Sequence, residues 1–187
     1  MEAILPDFLN YKTGKDLIRI GRDFDGGYLI SKNDLINSDI LISLGISDDW
    51  SFEEDFIKLN NIDLIAFDGS ISKNKFFNEV KHRLKSIYNF KNFIKAVNIY
   101  QSYVSFFKNN KKHYAKNISN EILNGEKRNY ISIKEIFKIT TKKNIFLKID
   151  VEGWEYRYLQ TILENQKRLT GIVIEFHDVD LHLEKIK

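Results

Sequence analysis

The chain has no cysteine, one proline, one methionine and nine glycines in 187 residues. Without cysteine there are no disulfides, thiolate metal sites or thiol nucleophiles, which is compatible with a reducing compartment. With so little proline and glycine no stretch has linker composition, so residues 1–187 read as one domain. Long apolar runs are missing too: none approaches the roughly 20 residues a membrane helix needs, and no membrane span is expected. The stretch from Met1 to Leu17 carries acids and no apolar core, so it does not read as a signal peptide, and the expected location is cytoplasmic. Charge of one sign is scarce: 29 Lys and Arg against 26 Asp and Glu leave +3, too little to argue for a nucleic-acid partner.

What the chain does have is core material, 43% hydrophobic and 13% aromatic, which excludes disorder as its main state. Apolar runs alternate with helical patterns. Asp39–Ile46 reads as a strand, and Ser51–Leu59 as a helix with Ser51 and Glu54 at capping-box spacing. Ile62–Phe67 is a second strand, followed by a helix with the stripe Phe76, Phe77, Val80, Leu84 and Ile87. A third strand is expected over Phe93–Ile99. Residues 100–130 read as an irregular connection with a basic stretch, Lys108–His113, suited to a solvated loop, a substrate-contacting excursion or an anion patch. Ser132 and Glu135 open a short helix, and Asn144–Asp150 is a fourth strand. Glu152–Asn165 reads as a helix with Trp154, Tyr158, Leu159, Ile162 and Leu163 inward, and Gly171–His177 as a fifth strand buried on both sides. The expected fold is α/β: a Rossmann-like, doubly wound, mostly parallel sheet of about five strands with helices on both faces. Its parts are an entry segment (1–38), a first half (39–99), the connection (100–130) and a second half (131–180). Leu181–Lys187 follows a strong strand without a closing element, so the C-terminus reads as stopping short.

In such a sheet ligands bind beyond the carboxyl ends of the strands. The first strand delivers Gly45, a turn that lets backbone approach a ligand beside the next helix start. The second delivers Asp68 and Gly69, about 20 residues on, the spacing at which an acid accepts ribose hydroxyls; the alternative is a plain Asp-Gly turn. The full G-x-G-x-x-G cradle is absent, which disfavours a dinucleotide and favours S-adenosylmethionine, with ribose and adenine but no phosphate. Asp150 and Glu152 sit at the fourth strand's exit, where helix capping accounts for at least one. Glu175 and His177, two residues apart, share a face of the fifth strand.

Asp150, Glu152, Glu175 and His177 support two mechanisms. His177 can act as general base toward an acceptor hydroxyl. Alternatively the four can hold a divalent cation such as Mg²⁺ or Mn²⁺ that acidifies the acceptor. Their spacing matches no metal motif, so the base reading leads and a metal is not expected. A satisfied core histidine is the structural alternative for His177, while His82, His113 and His182 read as surface residues.

These residues resemble the FkbM-type family of S-adenosylmethionine-dependent methyltransferases. The specific match is Lys148-Ile149-Asp150-Val151-Glu152-Gly153-Trp154-Glu155, similar to the family's Lys-Ile-Asp-Val-Glu-Gly-x-Glu block. Supporting segments are Ser43–Ile46 with Ser51–Glu53, Ala66–Asp68, Ile174–His177, and Arg19–Gly21 with Asp25-Gly26-Gly27-Tyr28. The resemblance runs in order from about Arg19 to Asp178. It implies that Gly45 and Asp68 contact the donor, that Val97 and Asn98 lie near adenine, that Asp150 approaches the methionine end, and that Asp25 and Tyr28 line the pocket. It implies methylation of a hydroxyl on a sugar, a polysaccharide precursor or a small metabolite. The chain departs from the family in its sparse glycine turn and in lacking a last strand pair, which would leave the fifth strand as an exposed edge. Two other readings compete: a metal-dependent hydrolase or phosphotransferase on Asp68, Asp150 and Glu175, and a non-catalytic nucleotide-binding module. Oligomeric state is not legible.

Overall fold

Alternate residues of the central strands feed two different cores. The computed structural model, which describes residues 7–10, 12–85, 90–120 and 129–186, places β3 (Ile40–Leu44) and β8 (Ile145–Ile149) side by side, buried at every position. Leu41 and Phe146 face one core and Ile40, Ile42, Leu147 and Ile149 the other. A strand covered on both faces is mostly apolar at every position, which is why these runs do not alternate; their polar members, Ser43 and Lys148, are buried with partners.

The sheet has five strands in the order β5-β4-β3-β8-β9, with β4 at Asp63–Phe67, β5 at Lys111–Tyr114 and β9 at Leu169–Ile174, and every pair is parallel. One face carries α1 (Lys32–Ile36), α2 (Ser51–Leu59) and α4 (Phe90–Phe106), with the antiparallel hairpin of β1 (Leu17–Gly21) and β2 (Gly27–Ser31). Phe52 and Phe56 of α2 lock onto Phe146 there, and each ring withdrawn from water is worth about 2 kcal/mol. The other face carries α5 (Ile133–Ile139) and α6 (Leu159–Glu164), with Ile133, Ile136, Phe137 and Tyr158 inward. The remaining elements are α3 (Lys73–Leu84), the short parallel pair β6 (Asn117–Ser119) and β7 (Tyr130–Ser132), and α7 (Val179–Ile186). Among the described residues no helix is long and apolar enough to cross a membrane.

The capping box of Ser132 and Glu135 forms at α5 as the sequence predicts. The one expected at Ser51 does not: Asp49 accepts the Ser51 N–H, and the Ser51 hydroxyl accepts the N–H of Arg22, tying α2 to the β1–β2 turn.

The third strand is elsewhere than expected. Phe93–Ile99 lies inside α4, because its inward positions, Ala96 and Tyr103, recur at helical and not strand spacing. The third parallel strand is Lys111–Tyr114, within the stretch read as irregular. It is an edge strand, and its lysines are the charges that such edges carry. The expected Glu152–Asn165 helix cannot begin at Glu152, because Glu152 and Gly153 take positive φ, and the segment is helical only as a 3₁₀ turn (Glu155–Arg157) and α6. Trp154 and Leu163 consequently point outward, 44% and 58% exposed. β9 lies at the other edge and is not buried on both sides, with Ile172 exposed. Past it the chain forms α7 where no element was expected. Phe77 and Leu84, read as part of an inward stripe, are exposed, and Ile87 of that stripe lies outside the described residues, as do 121–128 of the connection.

Candidate functional site

A cleft of about 920 Å³ opens at the carboxyl ends of β3, β4 and β8, where the chain order reverses across the sheet. Gly45, Asp68, Gly69, Asp150, Glu175 and His177 all line it, with Glu152 at its rim and Asp25 reaching in from the β1–β2 turn. Tyr28 stands behind Asp150 and Glu175. Val97 and Asn98 do not line the cleft: both are on α4, Val97 half-buried and Asn98 exposed. The third-strand exit is instead occupied by Lys116 and Asn117.

Gly45 is held from three sides. Its N–H donates to the Phe67 carbonyl at 2.9 Å, its carbonyl accepts from Lys148 Nζ at 2.7 Å, and at φ +78° a Cβ would fall 1.7 Å from the Asp150 carbonyl. Only glycine fits.

Asp68 staples the neighbouring loop. Its Oδ2 accepts the N–H groups of Ile46 (3.0 Å) and Ser47 (2.8 Å), and its Oδ1 that of Ser70 (2.7 Å). Burial alone would raise its pKa, but hydrogen bonds from Ser70, Ile46 and Ser47 outweigh it and hold the carboxyl below its ordinary value. Its carbonyl accepts from His113 Nε2, whose Nδ1 takes the Tyr103 hydroxyl; a carbonyl can only accept, so this imidazole is the neutral Nε2–H tautomer. His113 is thus half-buried structural cement and not a surface residue, and burial lowers its pKa. His182, also read as surface, packs on the Tyr156 ring.

At the β8 and β9 exits, Asp150, Glu175 and His177 offer ligand atoms within 4.8 Å of one another. The Tyr28 hydroxyl lies 2.9 Å from Asp150 Oδ2 and 2.7 Å from Glu175 Oε2, sharing one proton between two carboxylates. Burial and those acids raise the Tyr28 pKa, so it stays a phenol. Glu152, its side chain 88% exposed, stands 3.6 Å from His177 Nε2.

Two residues that sequence reasoning quoted without assigning a role organise this corner. Glu155, without exposed surface, accepts through Oε1 from His177 Nδ1 (3.0 Å), Val151 N (3.1 Å) and Gly153 N (3.2 Å). It thereby fixes the strand-exit turn and aims Nε2 of His177 at the acids of the cleft. Lys148, 4% exposed, points to the same face of the sheet as Ser43 and the buried Glu53, with Nζ 3.7 Å from Asp150 and 3.9 Å from Glu53. A lysine in the middle of an apolar strand was the available signal, since such a charge needs partners.

The cleft is acidic. Seven carboxylates line it, Asp25, Asp48, Asp49, Asp68, Asp150, Glu152 and Glu175, against Arg22, Lys116 and Lys148. Comparison with family models, curated proteins and solved structures finds no match.

Proposed function

We propose that the chain is an S-adenosylmethionine-dependent O-methyltransferase on a Rossmann-like sheet. The observation that carries this reading is the cleft's charge together with the state of the Gly45 loop. The N–H groups of Ile46 and Ser47, which would cradle a phosphate, are already taken by Asp68, and six further acids line the same cleft. That environment repels a pyrophosphate and suits a ligand bearing sulfonium and ammonium charges. Oδ1 of Asp68, which accepts one backbone N–H, keeps a lone pair that a ribose hydroxyl would use. The strand order, with ranks 3-2-1-4-5 along the chain, also supports it.

The bound donor supplies an electrophilic methyl group. The acidic side chains of Asp150 and Glu175 would offset its positive charge, and His177 Nε2 would accept the proton of the acceptor hydroxyl as that oxygen takes the methyl group and the thioether leaves. Alignment of donor and acceptor within the cleft would do most of the work, with base assistance secondary. The acceptor proposed is a hydroxyl of a sugar, a glycan precursor or a small metabolite.

The test is calorimetric titration with S-adenosylmethionine and S-adenosylhomocysteine, with NAD as control. Saturable binding of both, lost in Asp68→Ala, supports the reading; a folded sample that binds neither overturns it. One observation favours a second reading, a divalent-metal enzyme: the convergence of Asp150, Glu175 and His177. Thermal stabilisation by Mn²⁺ without any by S-adenosylmethionine would select it.

A further inference from the structure

Helices α3 and α4 differ in charge from the rest of the chain. From Lys73 to Phe106 there are seven Lys or Arg and one acid, Glu79, for a net +6, whereas the whole chain is +3. Glu79 is spent on Arg83, 2.6 Å away. Lys73, Lys81, Lys85, Lys91 and Lys95 are all exposed; Lys75, on the side of α3 away from Phe77, donates to the Ser70 carbonyl.

Among these cations stand bulky apolar side chains that the fold does not bury: Leu84 at 62%, Phe90 at 67%, Phe77 and Ile94 at 42% each, and Val104 at 38% exposed. Phe77 and Leu84 are seven residues apart, so they share a side of α3. Phe90, Ile94 and Val104, at offsets of four and ten, share a side of α4. The Phe77 and Tyr100 rings meet at 5.6 Å, which brings the two sides together. Lys81 lies over the Phe77 ring at 4.4 Å, its charge held above an apolar base.

We propose that this side of the α3–α4 pair docks on an anionic bilayer surface. Cations interleaved with exposed aliphatic and aromatic groups match headgroup phosphates with acyl chains beneath them. Leu84, Ile94 and Val104 are what separates this partner from a nucleic acid, whose backbone offers nothing to an aliphatic side chain and whose bases ask for planar ones. The patch lies on helices that flank the sheet, so the proposal stands or falls independently of methyl transfer.

The test is co-sedimentation of the full chain with equimolar phosphatidylglycerol–phosphatidylcholine vesicles, against pure phosphatidylcholine vesicles. Binding to the anionic vesicles at least about tenfold tighter, weakened in about 0.5 M salt, is expected. Leu84→Ser with Ile94→Ser, and separately Lys81→Ala with Lys85→Ala and Lys91→Ala, should each reduce it by about tenfold with unchanged circular dichroism. All five positions are exposed, so the two variants check one another for folding. Equal binding to both vesicles overturns the proposal. So does binding to duplex DNA but not to vesicles, or a dimer by light scattering that dissociates in the Leu84→Ser, Ile94→Ser variant while vesicles go unbound.

Discussion

His177 Nδ1 lies 3.0 Å from Oε1 of Glu155, a carboxylate with no exposed surface and with two backbone N–H groups already on the same oxygen. Burial by itself would lower the His177 pKa, but the hydrogen bond and charge of Glu155, then the charges of Glu152 and Asp150, outweigh it and raise it above 6.5. The raised value means that protonated His177 stabilises the fold below the unfolded pKa, and that this contribution is lost as pH rises through the folded one.

From this follows a pH profile. A base must be neutral to accept a proton, so methyl transfer should rise with pH through the raised His177 pKa. Glu155→Gln removes the strongest of the groups that hold the proton, so the His177 titration and the rising limb should both move to lower pH. Nuclear magnetic resonance of the imidazole reads the first without any substrate. A His177 titration identical in wild type and variant would show that Glu155 does not govern it.

Asp68 should act in two ways that can be separated. Asp68→Ala frees the N–H groups of Ile46, Ser47 and Ser70, and at about 1 kcal/mol per bond the loop loses roughly 2–3 kcal/mol. Because the carboxyl's pKa is lowered, its contribution is present above the ordinary Asp value of 3.8 and lost as pH falls below that. Asp68→Asn keeps one acceptor oxygen and should retain part of the stability while weakening donor binding. Chemical denaturation read beside calorimetry checks this, and a variant that unfolds no more easily than wild type would show that the staple is dispensable.

The β3 and β8 strands, the Gly45 turn and the group Asp150, Glu175 and His177 were legible because each rests on local pattern: a continuous apolar run, or polar residues at a strand's end. The third strand was not. Lys111–Tyr114 has no apolar signature because an edge strand needs none, while Phe93–Ile99 is dense enough in apolar residues to mimic a strand inside a helix. The roles of Glu155 and Lys148 depend on which carboxylates and carbonyls meet them across the sheet. Spacing along one strand does not report that.

Gly45→Ala should be among the most damaging single changes. A left-handed φ costs a side chain roughly 1–2 kcal/mol, and the added Cβ would overlap the Asp150 carbonyl, a backbone atom that cannot swing aside. A loss above about 3 kcal/mol is expected, with the β8 exit displaced and donor binding abolished. Gly153, also at positive φ but with its nearest atom 3.9 Å from a built Cβ, serves as the control. Gly153→Ala should cost only the conformational part. Equal losses in the two variants would mean that the Gly45–Asp150 contact does not matter.

Glu53 and Lys148 should respond to substitution with opposite signs. Burial raises the Glu53 pKa, and Lys148 with the Ser43 hydroxyl only partly offsets this; among the described residues its Oε2 has no hydrogen-bond partner. A carboxyl whose folded pKa is raised binds more protons in the native state, so its charge costs stability as pH climbs above the ordinary value of 4.5. Glu53→Gln should therefore be neutral or stabilising at about pH 8, and should lose that advantage at about pH 5. Lys148→Ala removes the hydrogen bond to the Gly45 carbonyl and the cation between Glu53 and Asp150, with an expected loss of about 3 kcal/mol. In the double variant Glu53→Gln, Lys148→Ala part of that loss should return, because the buried carboxylate left without its cation is gone. Urea denaturation at the two pH values measures all three, and strict additivity of the single losses would show that the pair is not coupled.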